Sequence, residues 1–258
     1  MSVPGLPHPF RWDGPLLAAS LEHAEARFSG RAGGVSAGPY ASLDLARYVP
    51  ERAVAVRQNM ERLAAMTGVS VERWAQNEQV HGTRVRRVAD PSGLGDDGAP
   101  ADGQTLTRAA GGAGVVLTAD CLPVVVAGAG AVAVLHAGWR GLADGVLEEG
   151  VRALRELGTA GRLQALIGPG AGGCCFEVGT EVRAAFAADG VLPRAEPAPI
   201  DLKAIAARRL AAAGVAAVHD CDLCTMCATD PDTGTRRFFS HRADGGTTGR
   251  QAGIAWPS

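Results

Sequence analysis

The chain has 258 residues, of which 47% are hydrophobic and 20% are charged, and its formal net charge is −2. This length fits one large domain or two small ones, and the composition is that of a soluble globular protein. Without a basic surplus, nucleic acid is not expected as a general partner. No apolar run approaches the length of about 18 residues that predicts a membrane span. The N-terminal stretch also lacks a secretory signal, so we expect a cytoplasmic protein.

The first third of the chain gives few signals. The first 27 residues carry no informative pattern. Residues 30–43, rich in Gly and Ser, predict an ordered loop. Residues 51–66 predict a helix in which Val54, Met60 and Leu63 share an apolar stripe and Gly68 provides the stop. A polar, turn-rich loop is predicted at 90–103.

Three short apolar runs then predict strands at 114–118, 123–127 and 131–136. Gly128-Ala129-Gly130 predicts a hairpin between the last two runs. Because the runs are apolar on both faces, we expect central strands that are covered on both sides.

The elements that follow alternate between helix and strand. Asp201 and Gly214 are the predicted caps of the last helix. The predictions are a helix at 142–157 that ends at Gly158, a strand at 163–168, and helices at 180–188 and 201–213. The fold class that results is a mixed α/β domain with helices outside a sheet core.

Three side chains that could act as metal ligands or catalytic groups lie where strands end or loops turn. Cys121 comes three residues after a predicted strand, His136 ends another, and His81 sits in the polar stretch NEQVHG. Taken singly, each has a plainer interpretation, namely a buried structural thiol or a hydrogen-bonded core histidine. Together they match an open His/Cys/His zinc site, or alternatively a Cys/His nucleophile pair with an orienting group. Their spacing alone does not constitute a motif.

Arginines close to glycines provide candidate anion sites. Arg140 lies in Gly-Trp-Arg-Gly at a predicted helix start, where backbone N–H groups favour an anion. Arg242 and Arg250 lie in the tail at 236–256 and can bind phosphate or carboxylate by paired hydrogen bonds. The alternative for this tail is a solvated loop.

The remaining cysteines do not predict a second metal site. Cys221, Cys224 and Cys227 have the spacing of one arm of a metal cluster beside His219, but a matching second arm is absent from the sequence. The other two thiols are the adjacent pair at 174–175, and adjacent residues are awkward as joint ligands.

Several stretches occur together in a recognisable order. They are GRAGGVSAGPYASLDL, NEQVHG, ADGQTLT, TADCLPVVV, HAGWRG, IGPGAGGCCFEVG, CT at 224–225 and FFSHRADGGTTGRQAGIAW. On these stretches the chain resembles the YfiH-like family, also called the peptidoglycan-editing-factor or laccase-domain family. The resemblance runs from about residue 28 to the end of the sequence, and HAGWRG with TADC is its most specific part.

The resemblance implies a single-domain, layered α/β/β/α sandwich with mixed sheets. The catalytic domain would span 28–258, with 1–27 either part of it or a flexible segment. It implies a metal site on His81, Cys121 and His136, usually with zinc. Family members are similar to purine nucleoside phosphorylases that use adenosine, inosine and methylthioadenosine with phosphate, and they deaminate adenosine. Bacterial members are also implicated in peptidoglycan editing.

Two features bear on substrate and metal. The family tail commonly reads Phe-Phe-Ser-Tyr-Arg-Arg-Asp-Gly, whereas this chain has His241 and Ala243 at the Tyr and second Arg positions. These departures concern substrate preference and leave the fold and the metal site of the resemblance unaffected. A multicopper cluster needs several His-X-His pairs. The six histidines, at 8, 23, 81, 136, 219 and 241, include no such pair. We expect zinc, with copper as the alternative metal.

The resemblance thus implies a purine nucleoside phosphorylase and adenosine deaminase, and for that activity Arg242 is the first candidate for phosphate and Arg140 the second. Asp120 or His81 is the candidate general acid. One alternative is an amidase that edits peptidoglycan precursors with Cys121 as nucleophile, and another is a non-catalytic zinc-binding interaction protein. We expect small-molecule partners, no nucleic acid and no membrane, and either a monomer or a homodimer.

Overall fold

The computed structural model describes residues 5–47, 53–91, 100–192 and 197–258. The strands are β1 (Phe10–Asp13), β2 (Leu16–Leu21), β3 (Ala24–Phe28), β4 (Trp74–Gln76), β5 (Val85–Val88), β6 (Gly103–Thr107), β7 (Ala113–Thr118), β8 (Leu122–Gly128), β9 (Ala131–Ala137), β10 (Leu163–Ile167), β11 (Glu177–Val178), β12 (Ala198–Pro199), β13 (Val215–Asp220) and β14 (Gln251–Pro257). The α-helices are α1 (Ala53–Thr67), α2 (Trp139–Asp144), α3 (Val146–Glu156), α4 (Thr180–Ala185) and α5 (Leu202–Ala212).

Two six-stranded mixed sheets make up the body of the molecule. Sheet 1 has the order β1-β2-β3-β14-β7-β4, and only its β4–β7 pair is parallel. Sheet 2 has the order β13-β10-β8-β9-β6-β5, with parallel pairs at both edges, β10–β13 and β5–β6. The short strands β11 and β12 form a separate antiparallel pair.

Alternate residues of the central strands point into different layers. Val116, Val125 and Val134 pack with Phe28 between the two sheets. Their neighbours face outward, so Leu135 packs towards α3 and α5, whereas Val115 packs towards α1. This two-sided burial explains why the strands are apolar throughout rather than alternating. The layers are α1, sheet 1, sheet 2, then α3 with α5, which confirms the α/β/β/α fold class.

The predicted central strands at 114–118, 123–127 and 131–136 are confirmed as β7, β8 and β9, and every residue in them is buried. The predicted hairpin is confirmed as well. Gly128 pairs with Ala131, and Gly130 adopts φ 75° at the turn, a conformation that favours glycine.

Three of the predicted helices need correction. In α1 the buried stripe contains Val56 instead of Val54, which is 75% exposed, while Met60 and Leu63 are buried as predicted. The predicted first two residues of this helix, 51–52, lie outside the described residues. The helix predicted at 142–157 is two helices, because Gly145 adopts φ 101° between α2 and α3. The helix predicted at 180–188 ends as an α-helix at Ala185 and continues as a 3-10 turn at Ala187–Asp189.

Several strands had no counterpart in the sequence analysis. Residues 10–28 form β1, β2 and β3, which are half of sheet 1. Of the loop predicted at 90–103, residues 92–99 lie outside the described part, and Gly103 already begins β6. Across the described ranges, the structure contains no helix with the length and apolar character needed to traverse a bilayer.

The chain crosses from sheet 1 to sheet 2 twice near one edge of the sandwich. Residues 119–121 connect β7 to β8, and residues 77–84 connect β4 to β5. Cys121 lies on the first crossing and His81 on the second. The C-terminal end of β9, which carries His136, lies beside the first crossing because Leu122 pairs with Ala137. The topology therefore brings these three residues to one place.

Candidate metal centre and active site

The loop that carries His81 is held in shape by one buried carboxylate. His81 has φ 62°, an uncommon conformation for a residue other than glycine. Its backbone N–H donates to Oδ1 of Asp102 at 2.9 Å. The N–H groups of Val80 and Gly82 donate to Oδ2 at 3.2 and 2.7 Å. Asp102 thus gathers three successive amides and fixes the direction in which the imidazole leaves the loop.

The same carboxylate orients His136. Nδ1 of the buried His136 ring lies 2.8 Å from Oδ1 of Asp102. This bond leaves Nε2 as the nitrogen available to a metal, the arrangement in which carboxylates commonly support histidine ligands. Burial would raise the pKa of Asp102, but the bonds from His136 and from the loop amides outweigh it and lower that pKa.

Cys121 is placed by its neighbour Asp120, which adopts φ 95° on the crossing between the sheets. Asp120 accepts a hydrogen bond from the Thr225 hydroxyl at 2.7 Å and another from the backbone N–H of Arg242 at 2.8 Å. Because both carboxylate oxygens are occupied as acceptors, Asp120 acts here as a support for the crossing. Of the two candidate acids, His81 therefore has the freer side chain.

The three side chains form one electrostatic unit. Burial favours the neutral thiol of Cys121, but the adjacent His136 and His81 outweigh this and lower its pKa to about 6. Burial likewise opposes a charge on His136, yet the Cys121 thiolate and Asp102 raise its pKa to about 9. Between these two pKa values Cys121 is a thiolate and His136 is an imidazolium. A metal cation can replace the proton that the imidazolium carries next to the thiolate.

The geometry fits a zinc ion. One ligand atom from each of His81, Cys121 and His136 lies within 4.8 Å of the others, and Sγ of Cys121 is 3.8 Å from Nε2 of His81. Zinc–ligand bonds of about 2.0–2.3 Å place neighbouring ligand atoms of a tetrahedral site roughly 3.3–3.8 Å apart. Gly138 makes room for this approach, since a Cβ atom there would lie 2.6 Å from Cδ2 of His81. Imidazole and thiolate also suit copper, so the donor set does not choose between the two metals.

The fourth side of this group opens onto a cavity of about 680 Å³, a size typical of small-molecule sites. Its polar lining includes the three arginines singled out in the sequence, Arg140, Arg242 and Arg250. The structure therefore brings every candidate site residue to one cavity. Asp102 was missed by the sequence analysis, although it stands in the quoted stretch ADGQTLT, because a single acidic residue before a strand gives no signal of its burial.

Arg242 and Arg140, the two arginines predicted to bind phosphate, differ in their surroundings. Arg242 stacks 5.0 Å from the centre of the Phe176 ring, and Nη1 donates to the carbonyl oxygen of Glu177 at 2.6 Å. Among the described residues, its guanidinium has no carboxylate within 4.0 Å. Arg140 is also exposed, but it stacks on Trp139 at 4.1 Å and lies 3.6 Å from the carboxylate of Glu181. Arg242 is consequently the more fixed and less neutralised cation.

Comparison with known proteins decides the family. Residues 25–258 match the family described as multi-copper polyphenol oxidoreductase laccase. The chain belongs to this family.

Relatives in this family are named as purine nucleoside phosphorylases. A Xylella fastidiosa protein named purine nucleoside phosphorylase is 41% identical over 239 residues, which cover 86% of this chain and 88% of that protein. A Deinococcus radiodurans protein of the same name is 36% identical over 259 residues, covering 97% and 92%.

Solved structures show the same fold. Bacillus licheniformis YfiH has a TM-score of 0.84 at 27% identity, with 96% of this chain and 98% of that chain covered. YlmD from Geobacillus stearothermophilus has a TM-score of 0.81 at 31% identity, with 97% and 99% covered. The expected resemblance to the YfiH-like family is confirmed.

Proposed function

We propose that this member of the laccase-like family is a purine nucleoside phosphorylase that acts on adenosine, inosine and methylthioadenosine and also deaminates adenosine. The observation that carries the proposal is the shared cavity, which presents a His/Cys/His group and fixed arginines to the same space. The name purine nucleoside phosphorylase, which the relatives carry, supports this activity.

Phosphorolysis needs a bound phosphate and a proton for the departing base. A phosphate oxygen forms a bond to C1′ of the ribose while the bond from C1′ to the purine nitrogen breaks, and the purine takes up a proton. Arg242 can hold the phosphate in a paired hydrogen-bonding geometry, with Arg140 closing the other side. The exposed His81 ring can supply the proton.

The proposed deamination uses the metal-binding group of the same cavity instead of the arginines. Water adds to C6 of the purine and ammonia leaves, so no phosphate is required. A zinc ion held by His81, Cys121 and His136 would supply Lewis-acid chemistry at the open face of the cavity. The chain's own part is to hold these ligands through Asp102 and to admit the purine edge beside them.

The test is a product assay on purified protein with known metal content. Adenosine is incubated with and without phosphate, and the products are separated by chromatography. We expect inosine as the product without phosphate. With phosphate we expect adenine and ribose 1-phosphate, together with inosine and the hypoxanthine formed from it. Cys121→Ala should abolish both products, whereas Cys221→Ala, which removes a thiol outside this cavity, should leave them unchanged. Untouched adenosine in a metal-loaded sample would overturn the proposal.

One observation supports a second candidate, an amidase that edits peptidoglycan precursors. Cys121, His136 and Asp102 have the residue types and order of contacts of a Cys-His-Asp nucleophilic triad. In that reaction the thiolate forms an acyl-enzyme while the amine leaves with a proton from His136, and water then releases the acid. Metal removal separates the amidase from the deaminase, because a Cys-His-Asp triad works without metal whereas the proposed deamination uses the metal held by His81, Cys121 and His136. The non-catalytic interaction protein would show neither activity.

A further inference from the structure

A second group of thiols lies away from the cavity. Cys174, Cys175, Cys224 and Cys227 each place a sulfur atom so that all four lie within 4.8 Å of one another. All four are free thiols. The sequence did not predict a second metal site, because the Cys-x2-Cys segment lacks a matching second arm in sequence and the adjacent cysteines at 174–175 are awkward as joint ligands. The fold supplies that arm, since the adjacent pair and the Cys-x2-Cys segment meet in space.

The distances approach those of a tetrahedral metal site. Zinc–sulfur bonds of about 2.3 Å place the sulfurs of a tetrahedron roughly 3.8 Å apart. Sγ of Cys174 lies 3.7 Å from Sγ of Cys227, which matches one edge of such a tetrahedron. The remaining edges, at up to 4.8 Å, need a contraction of about 1 Å or less, which exposed side chains such as Cys174 and Cys227 can make by rotation.

The surrounding backbone is built around the sulfurs. The N–H of Gly172 donates to Sγ of Cys224 at 3.2 Å. A Cβ atom at Gly172 would lie 3.1 Å from Cβ of Cys224 and 3.3 Å from Sγ of Cys174, so the thiols occupy the space that a side chain would need. Within the second segment, the N–H of Ala228 donates to the carbonyl oxygen of Cys224 at 2.9 Å, which curls Cys227 back towards Cys224.

Disulfides account for this arrangement less well. A disulfide requires sulfurs about 2.05 Å apart and joins cysteines in pairs. Pairing gives no reason for four thiols to converge on one point, whereas a tetrathiolate site requires it. A site with four protein ligands has no open position, which is the pattern of structural rather than catalytic zinc.

We propose that Cys174, Cys175, Cys224 and Cys227 bind a Zn²⁺ ion as a closed, structural tetrathiolate site, separate from the centre at the cavity. Binding replaces four thiol protons, which are released to solvent, by one cation. The ion joins the segment after β10 to the segment after β13, which are already linked by the bond from the N–H of Thr225 to the carbonyl oxygen of Gly170 at 3.0 Å.

The two segments that this ion would join also hold residues that line the cavity. Thr225 donates to Asp120, and the carbonyl oxygen of Glu177 receives the guanidinium of Arg242. The ion would thus lie between the two segments that support these contacts without touching a bound substrate.

The test counts zinc in full-length protein prepared under reducing conditions, by elemental mass spectrometry. Cys121→Ala removes a ligand of the cavity group, so zinc that remains in this variant belongs elsewhere. We expect one zinc per chain in Cys121→Ala and none after Cys174→Ser and Cys227→Ser are added to it. Both added changes are at exposed positions, and Cys221→Ser added instead is the matched control that should keep its zinc.

Coordination is read directly by X-ray absorption at the zinc edge of Cys121→Ala. A shell of four sulfurs at about 2.3 Å is expected. Absence of zinc from a folded, reduced Cys121→Ala sample after incubation with zinc would overturn the proposal. So would an intact mass lower by the four hydrogens lost in two disulfides. Because all readouts are made in the Cys121→Ala background, they stand or fall independently of the proposed phosphorylase activity.

Discussion

A single oxygen atom of Asp102 contacts both candidate histidine ligands. Oδ1 lies 2.8 Å from Nδ1 of His136 and 2.9 Å from the backbone nitrogen of His81. The ring of one ligand and the main chain of the other are therefore set by the same buried group.

Asp102→Asn should weaken metal binding. An amide offers one acceptor oxygen, so it cannot serve His136 and all three loop amides together. The loss of such a supporting group typically lowers metal affinity roughly 10- to 100-fold. Competition with a chromophoric chelator would measure it. Asp201→Asn is the isosteric control, because Asn caps a helix as well as Asp does. Unchanged affinity in Asp102→Asn would remove this residue from the centre.

Gly138→Ala should disturb the same centre by crowding. The added methyl group would lie 2.6 Å from Cδ2 of His81 and 3.2 Å from Sγ of Cys121, so the His81 ring must move. Ligands displaced by more than about 0.5 Å no longer hold their geometry, and we expect metal affinity to fall at least about 10-fold. Gly5→Ala, where a Cβ meets open space, is the control. Wild-type affinity in Gly138→Ala would contradict the close approach.

Arg242→Lys should raise KM for phosphate in the phosphorolysis assay. Lysine keeps the charge but loses the planar, paired donors, and loss of a hydrogen bond to a charged group costs about 1.5–3 kcal/mol, or roughly 10-fold or more. Steady-state kinetics at varied phosphate would show the effect, and the phosphate-independent deamination should change little. Arg57→Lys, an exposed substitution on α1, serves as the comparison. A normal KM for phosphate would shift attention to Arg140.

Alkylation should reveal the acidity of Cys121 in metal-free protein. Its pKa of about 6 predicts that the rate of modification rises with pH to half its maximum near pH 6, because only the thiolate reacts. Partial desolvation of the Cys174 sulfur, together with hydrogen bonding to Cys175, raises the pKa of Cys174 to about 11, so that thiol should react slowly at the same pH although its side chain is exposed. Peptide mass spectrometry after timed exposure to iodoacetamide distinguishes the two. His136→Asn should move the midpoint for Cys121 to higher pH.

The ion pair of Asp189 with Arg209 should make stability depend on pH. Hydrogen bonds from Arg209, which lie at 2.9 and 2.8 Å, lower the pKa of Asp189 below its usual value of 3.8. A lowered folded-state pKa gives stability that is present above pH 3.8 and is lost as pH falls through the folded value. Asp189→Asn should therefore lower the free energy of unfolding by about 1.5–3 kcal/mol at pH 7 and by less near pH 3. Urea denaturation at both pH values tests this, and an equal loss at both would contradict it.

The central strands of both sheets were predictable because their signals are local. Continuous apolar runs indicate buried strands, and β7 of sheet 1 and β8 and β9 of sheet 2 coincide closely with such runs. The helix break at Gly145 was missed because its flanking sequence has helical periodicity, and only the φ of 101° shows the interruption.

Residues that act across long distances in sequence were harder to foresee. Asp102 has no local pattern, and its importance comes from bonds to a loop and to a strand that precede and follow it. Each pair of thiols, at 174–175 and at 224 and 227, looks like half of a metal site in the sequence, because the other half is about 50 residues away. The contact between Cys174 and Cys227 shows that the fold joins the two halves. Proximity of this kind depends on strand order, which residue types do not specify.

The strand order of sheet 1 has a consequence for synthesis on the ribosome. β1, β2 and β3 emerge first and can pair with one another at once, yet β3 must wait for β14, its neighbour on the other side. Until residues near 257 have left the exit tunnel, β3 and β7 present open backbone edges that another nascent chain could join. The gap between them closes when β14 emerges, so misfolding of this protein should be most sensitive to conditions that slow translation between β7 and β14.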